Sequence, residues 1–267
     1  MADFLKREKR DGIVLLTMNR PEQRNALSDV SDCEEFVEAC HEIDRDKTVN
    51  VAILTGNGPA FSAGGDVKKM RDRSGFAPAK TVIDTLDSYK HSIQRIPKAL
   101  YDIEIPTIAA VNGPAIGAGL DLACMCDMRI ASDKAIFAES FIKLGIVPGD
   151  GGAWFLPRLV GYARACEMAF TGDRLDAQQA LDCGLVSRVV PGPDLMMEAF
   201  GLAERIDAQP GRTTRLTKRL LRESANASLD LHLALSAAFQ TIVHETEDHR
   251  EALDAFFEKR KPSFVNR

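Results

Sequence analysis

The stretch IPTIAAVNGPAIGAGLDLACMCD, Ile105 to Asp127, decides the fold. It opens on an apolar run, Pro106 to Val111, that reads as a buried strand, and closes on an apolar helix carrying Asp121 near its start. Between them lie small residues, where the strand runs out into a helix N-terminus with free N–H groups and partial positive charge. A second segment, FSAGGD from Phe61 to Asp66, follows the apolar strand NVAILTG (Asn50 to Gly56) in the same way. Two such ends that converge can hold one oxyanion between two N–H donors, which suits a carbonyl whose oxygen becomes negative during reaction. The glycines and alanines let a substrate reach the backbone, which a bulky side chain would prevent.

Working outward, GIVLLTMN (Gly12 to Asn19) reads as a strand followed by a turn-like RPEQRNALS. Ser28 or Asp29 can cap a helix running to about Arg45, and Asp66 can cap a helix over VKKMRDR. Ser74 to Ala79 is a break, and the periodicity then predicts one long helix from about Thr81 to Tyr101. Met128 to Ser132 and Ala135 to Ser140 read as short strands, and a helix begins near Ala153 after the turn PGDGG. DAQQALDCGLVSRVV combines a capping box, Asp176 with Gln179, a helix-ending Gly184 and a last strand. From about Asp194 to Lys259 only helical periodicity remains, so Pro191-Gly192-Pro193 is the predicted domain boundary. Strand–helix alternation up to that point argues an α/β class.

The chain has 267 residues, enough for one large domain or a core with an appendage. A formal net charge of −5 gives no case for nucleic acid as a partner. The N-terminus MADFLKREKRDG has no apolar signal region, and no stretch approaches the ~20 apolar residues a bilayer span needs. Cys33, Cys40, Cys124, Cys126, Cys166 and Cys183 fit neither a zinc pattern nor a CxxC motif. They read as reduced core thiols of a cytoplasmic protein, with no metal expected.

At RPEQRNALS, AILTGNGPAFSAGGDVKKM, the Ile105–Ser132 stretch, FAESFIKLGIVPGDGG and TGDRLDAQQALDCGLVSRVV the chain resembles the crotonase superfamily, the enoyl-CoA hydratase/isomerase fold. The likeness covers essentially the whole length. It implies a spiral core of repeated ββα units bearing an acyl-CoA site, residues 1–192, and a C-terminal helical oligomerisation domain, residues 193–267. It also implies trimers or paired trimers and a thioester enolate held between the N–H groups of Gly65 and Ala118. No permanently bound cofactor is expected; coenzyme A enters as part of the substrate. Arg24 and Lys68 would meet its phosphates, beside Asp66, and the Ala63 carbonyl would receive the adenine amino group. Lys259, in KRK near the C-terminus, would approach the CoA of a neighbouring subunit.

Hydration of an enoyl thioester needs water added at Cβ and a proton delivered to Cα, work that two glutamates share in the familiar hydratases. Here the first of those positions is Asp121 and the second is Phe141, which cannot move a proton. Asp150, in PGDGG, is the expected second carboxylate, and the dehalogenase and naphthoate synthase branches resemble this chain there. Glu139 is the alternative; on an extended segment it would face the same side as Phe141. Two carboxylates close together in an apolar pocket would push their pKa values apart and supply one acid and one base. Phe141 and Trp154 would shape an apolar acyl pocket. The expected activity is hydration of a 2-enoyl-CoA. The alternatives are isomerisation, thioester hydrolysis, decarboxylation or C–C bond chemistry on the same oxyanion hole, or a CoA-binding subunit without turnover.

Overall fold

The computed structural model describes residues 3–76 and 81–266. The chain opens with an antiparallel hairpin, β1 (Leu5–Arg10) and β2 (Ile13–Met18), paired Arg10 to Ile13 and Leu5 to Met18. The β1 sequence LKREKR shows no apolar alternation and so carries no strand pattern of its own. Its signal is Asp11-Gly12, a two-residue hairpin turn with Asp11 at φ +52°. Its charges suit an exposed edge strand that must not pair with another chain.

Helix α1 (Val30–Arg45) leads to β3 (Val51–Gly56) and the short α2 (Val67–Arg71). The long helix expected over Thr81–Tyr101 is two, α3 (Val82–His91) and α4 (Arg95–Asp102). Pro97 explains the break: it lacks an N–H, and its ring excludes the carbonyl of Ile93 from a continuous helix. The break expected at Ser74–Ala79 falls partly outside the described residues.

Each following turn then feeds two sheets. β4 (Thr107–Val111) joins the first sheet, β5 (Ala115–Ile116) the second, and α5 (Ala118–Met125) follows. β6 (Met128–Ser132) and β7 (Ile136–Ala138) repeat the step, before a 3-10 turn at Ser140–Leu144, α6 (Gly152–Val160) and α7 (Tyr162–Thr171). β8 (Arg174–Asp176), α8 (Ala177–Asp182) and β9 (Arg188–Val190) complete the series. The sheets run β1-β2-β3-β4-β6-β9 and β5-β7-β8. This mixed α/β arrangement of repeated strand–strand–helix turns is the expected fold class.

Parallel strands covered on both faces read as continuous apolar runs. One face of the large sheet packs Leu54, Ala109 and Ala131 into the main core with α1, α4 and α5. The other packs Ile53, Ile108 and Ile130 against Leu195, Ala199, Leu202 and Ala203 of α9 (Leu195–Asp207). The first helix after the Pro191–Pro193 break therefore lies on the sheet. α10 (Gly211–Glu223), α11 (Leu229–His244) and α12 (Glu247–Glu258) follow. No residue of α11 is buried, and Leu229, Leu231 and Leu233 stand exposed. Lys218 and Arg222 of α10 reach Asp127 at 2.7 and 3.1 Å and tie the tail to the end of α5. Among the described residues, no helix is long and apolar enough to cross a membrane.

Candidate active site

The two glycine turns meet. Ser62 pairs with Ala115 in a parallel bridge: its N–H donates to the Pro114 carbonyl at 3.1 Å, and its carbonyl accepts from Ile116 N–H at 3.0 Å. Close approach explains the small residues. A Cβ on Gly119 would lie 2.2 Å from the Ser62 carbonyl oxygen, and one on Gly64 2.3 Å from that of Ile116. Gly64, at φ +81°, and Gly117, at φ +53°, also hold backbone that favours glycine. Ala118 begins α5, where the first N–H groups lack helical acceptors. Neither the Gly65 nor the Ala118 N–H donates to an acceptor among the described residues. Such a pair of N–H groups can stabilise charge on one oxygen.

Behind this backbone lies a cluster of buried acids. Asp121 sits in the first turn of α5, Glu139 just past β7, and Asp150 in the loop before α6; all three are buried. Gly152 N–H donates to Asp121 Oδ2 at 3.0 Å. The Asp121 carboxyl is within hydrogen-bond reach of both Glu139 and Asp150. Asp121 Oδ1, both Glu139 oxygens and Asp150 Oδ1 accept from no hydrogen-bond donor, and no lysine or arginine pairs with any of the three among the described residues. Burial raises the Asp121 pKa well above the ordinary carboxyl range, and the charges of Asp150 and Glu139 add to it. Burial pushes Glu139 up to about 7 and raises Asp150. The cluster can therefore hold and transfer protons near neutral pH.

Asp121 and Asp150 come together, and Glu139 with them. Sequence spacing could not give Glu139 its place. The segment is not extended through Phe141: it turns into the 3-10 element after Glu139, so Glu139 points inward while Phe141 faces the Gly117 turn. Phe141 Cζ would be 3.7 Å from a Cβ on Gly117, which puts an apolar ring beside Ala118. Trp154 is stacked edge-on against Tyr101 and Phe155 with Arg158 over its ring at 3.9 Å. Gly152, as a donor to Asp121, and Tyr89, whose ring packs on Gly149, carried no sequence signal because both depend on how distant elements pack. Burial and the charge of Asp150 raise the Tyr89 pKa.

An open cleft of about 740 Å³ leads past this backbone, lined by Gln23, Ala63, Gly65, Asp66 and Lys68 among others. Ala63 N–H donates to the Arg24 carbonyl at 2.9 Å, which seats Arg24 beside it. Asp66 caps α2 through Lys68 and Lys69 N–H, so its carboxylate is already engaged. Lys68 is exposed. Lys259, ending α12, does not line the cleft within this chain. No group of three His, Cys, Asp or Glu side chains among the described residues is arranged to hold a metal ion.

Known proteins resemble the chain over its whole length. The enoyl-CoA hydratase/isomerase family model matches residues 8–267. An enoyl-CoA isomerase/hydratase of Mycosarcoma maydis is 39% identical over 96% of this chain and 93% of its own. The 1,2-epoxyphenylacetyl-CoA isomerase of Escherichia coli is 35% identical over 100% of both. An enoyl-CoA hydratase structure from Bacillus anthracis superposes with a TM-score of 0.91 at 32% identity, covering 99% of this chain and 100% of the other.

Proposed function

The chain belongs to the enoyl-CoA hydratase/isomerase family and is an enzyme of that type; from this premise we propose that it adds water to a 2-enoyl-CoA with Asp121 and Asp150 as its acid and base. The juxtaposition of two unengaged N–H groups, Gly65 and Ala118, with a buried acid cluster carries the reading. The thioester carbonyl binds between those N–H groups, which stabilise the enolate oxygen that forms. Asp150 takes a proton from water as its oxygen bonds to Cβ. Asp121 delivers a proton to Cα, and Asp150 then returns its proton to Asp121, so both acids regain their resting states.

Coenzyme A would lie in the open cleft, with Arg24 and Lys68 near its phosphates, Asp66 at the cleft wall and the Ala63 carbonyl on the adenine. Phe141 lines an apolar acyl pocket. Trp154 buttresses it through Phe155, whose ring packs on Gly151. We assign residues 1–192 to the catalytic core and 193–267 to self-association, which the bare apolar face of α11 and the exposed Phe256 and Phe257 support. A trimer or paired trimer would bring Lys259 to a neighbour's CoA. The six free thiols suit a cytoplasmic enzyme.

A second reading, double-bond isomerisation, needs only one base to shuttle a proton between two carbons and is favoured by the likeness to an enoyl-CoA isomerase/hydratase, while Phe141, at the position isomerases usually keep as a glutamate, counts against it. Incubation with crotonyl-CoA, following both the conjugated-thioester absorbance and free thiol, separates the readings. Loss of conjugation without thiol and with the mass of one water added supports hydration, and loss of conjugation at unchanged mass supports isomerisation. An unchanged spectrum removes short-chain hydration, and thiol release replaces hydration by thioester cleavage.

A further inference from the structure

Glu139 is a buried acid with both side-chain oxygens unengaged except toward Asp121. A carboxylate in that setting is costly to keep charged, because nothing supplies the hydrogen bonds that water would give. Protons shared between carboxyls are the available remedy. One proton between Glu139 and Asp121 and one between Asp121 and Asp150 give contacts to all but one of the orphaned oxygens, the second oxygen of Glu139, and leave a single negative charge in the cluster.

We propose that Glu139 is a positioning residue that carries its own proton in the resting enzyme and donates a hydrogen bond to Asp121 when that carboxyl gives up its proton. The proposal rests on the assignment of Asp121 as the acid. No bond to substrate is made by Glu139. Its proton stays on it throughout while Asp121 loses one to Cα and recovers one from Asp150. The hydrogen bond strengthens as Asp121 becomes an anion, so it favours the charged state over the resting one. The groups around Glu139 agree with a neutral carboxyl. Asp121 and Cys124 face it from α5 and Asp150 from the loop before α6, with Tyr89 beyond Asp150 on α3; burial pushes its pKa up to about 7 even though the hydrogen bond with Asp121 pulls it down, and the charge of Asp150 adds to the rise.

The full-length enzyme tests this with two variants. Glu139→Gln mimics the protonated acid and cannot ionise. Its kcat should be about threefold lower at acid pH but should not fall as pH rises through about 7, where the native enzyme is expected to lose activity as Glu139 ionises. Glu139→Leu should lose kcat by roughly 10–100-fold at every pH, with KM for the acyl-CoA little changed. Superimposable pH profiles for native enzyme and Glu139→Gln would overturn the proposal, as would full kcat in Glu139→Leu. Infrared spectra of the resting protein give a readout independent of turnover. The carbonyl stretch of a protonated carboxylic acid should weaken in Glu139→Gln. If that band weakens in the variant while the native enzyme hydrates no enoyl-CoA, the assignment of the reaction fails and the protonated Glu139 stands. If the band is unchanged, the proposal falls whatever the reaction.

Discussion

Gly152 donates its backbone N–H to Asp121 Oδ2 at 3.0 Å, and a Cβ on Gly152 would stand 2.1 Å from Asp121 Oδ1. The same N-terminal turn of α6 therefore holds the carboxyl and leaves it no room to retreat. The helix end also places partial positive charge on an acid that burial otherwise drives toward neutrality.

Gly152→Ala should accordingly displace Asp121 while leaving the remainder of the fold in place. A shift of about 1 Å at a reacting group costs on the order of 10²-fold in rate. The expectation is a loss of that size in kcat, and an overpacking cost of about 1–3 kcal/mol in urea unfolding. Native kcat in a well-folded Gly152→Ala enzyme would remove Asp121 from the chemistry.

The glycines of the two turns should differ in what they tolerate. A Cβ on Gly119 would meet the Ser62 carbonyl oxygen at 2.2 Å, which is backbone and cannot move aside, and so pushes the two turns apart. A Cβ on Gly65 would meet only the terminal methyl of Met70, at 2.4 Å, which can swing away. Gly119→Ala should lose roughly 10²–10³ in kcat. Gly65→Ala should change stability by less than about 1 kcal/mol. Steady-state kinetics beside urea unfolding of both variants decide it; equal losses would mean that the turns do not act as a pair.

Asp150→Asn should lower kcat by roughly 10²–10⁴-fold without weakening CoA binding, because Asp150 lies with the buried acids and not on the open cleft. Calorimetric titration with CoA alone supplies the second readout. A parallel loss of CoA affinity would move Asp150 from proton transfer to a structural role.

What the sequence made legible follows from locality. The turns at FSAGGD and NGPAIGAG announce themselves because strand, small residues and helix start are neighbours in the chain, and the capping box of Asp176 with Gln179 is likewise local. β1 was hidden because its charges answer to an exposed edge, and only Asp11-Gly12 betrays it. The break between α3 and α4 turns on Pro97, four residues after the carbonyl it displaces, and an unbroken apolar stripe masks it. Asp121 and Asp150 could be named from motif position. Their company with Glu139 could not, since it depends on the chain turning into a 3-10 element one residue later.

The tail should be anchored through Asp127. That carboxylate accepts from Thr107 N–H at 2.7 Å and meets Lys218 and Arg222 of α10. Burial holds the Lys218 ammonium down to about 8 even so, which marks a cation that needs its partner. Asp127→Asn should cost about 3 kcal/mol in urea unfolding, because it leaves the buried Lys218 uncompensated. A loss below about 1 kcal/mol would mean that α10 is held by apolar packing alone.

The acid cluster also fixes how stability depends on pH. Its carboxyls have folded pKa values raised above their unfolded ones, Glu139 to about 7. Below about pH 4 the unfolded chain is protonated at these positions too, and the stabilising effect of burying neutral acids is fully present. As pH rises, the unfolded chain loses its protons first. The folded state then binds more protons than the unfolded one, and stability falls until the folded groups ionise. The slope is at most about 1.4 kcal/mol per pH unit for each retained proton. Asp46 and Glu251, held near 2 by Lys9 and Arg260, act in the opposite sense and only at lower pH. The urea midpoint should therefore decline between about pH 5 and pH 7, and the decline should be shallower in Asp121→Asn, whose side chain is neutral in both states. That variant should also equal or exceed the native protein in stability at neutral pH while losing turnover. A difference between variant and native curves that stays constant across this range would mean that Asp121 is ionised in the fold, and the proton it is assigned to deliver would have to come from another group.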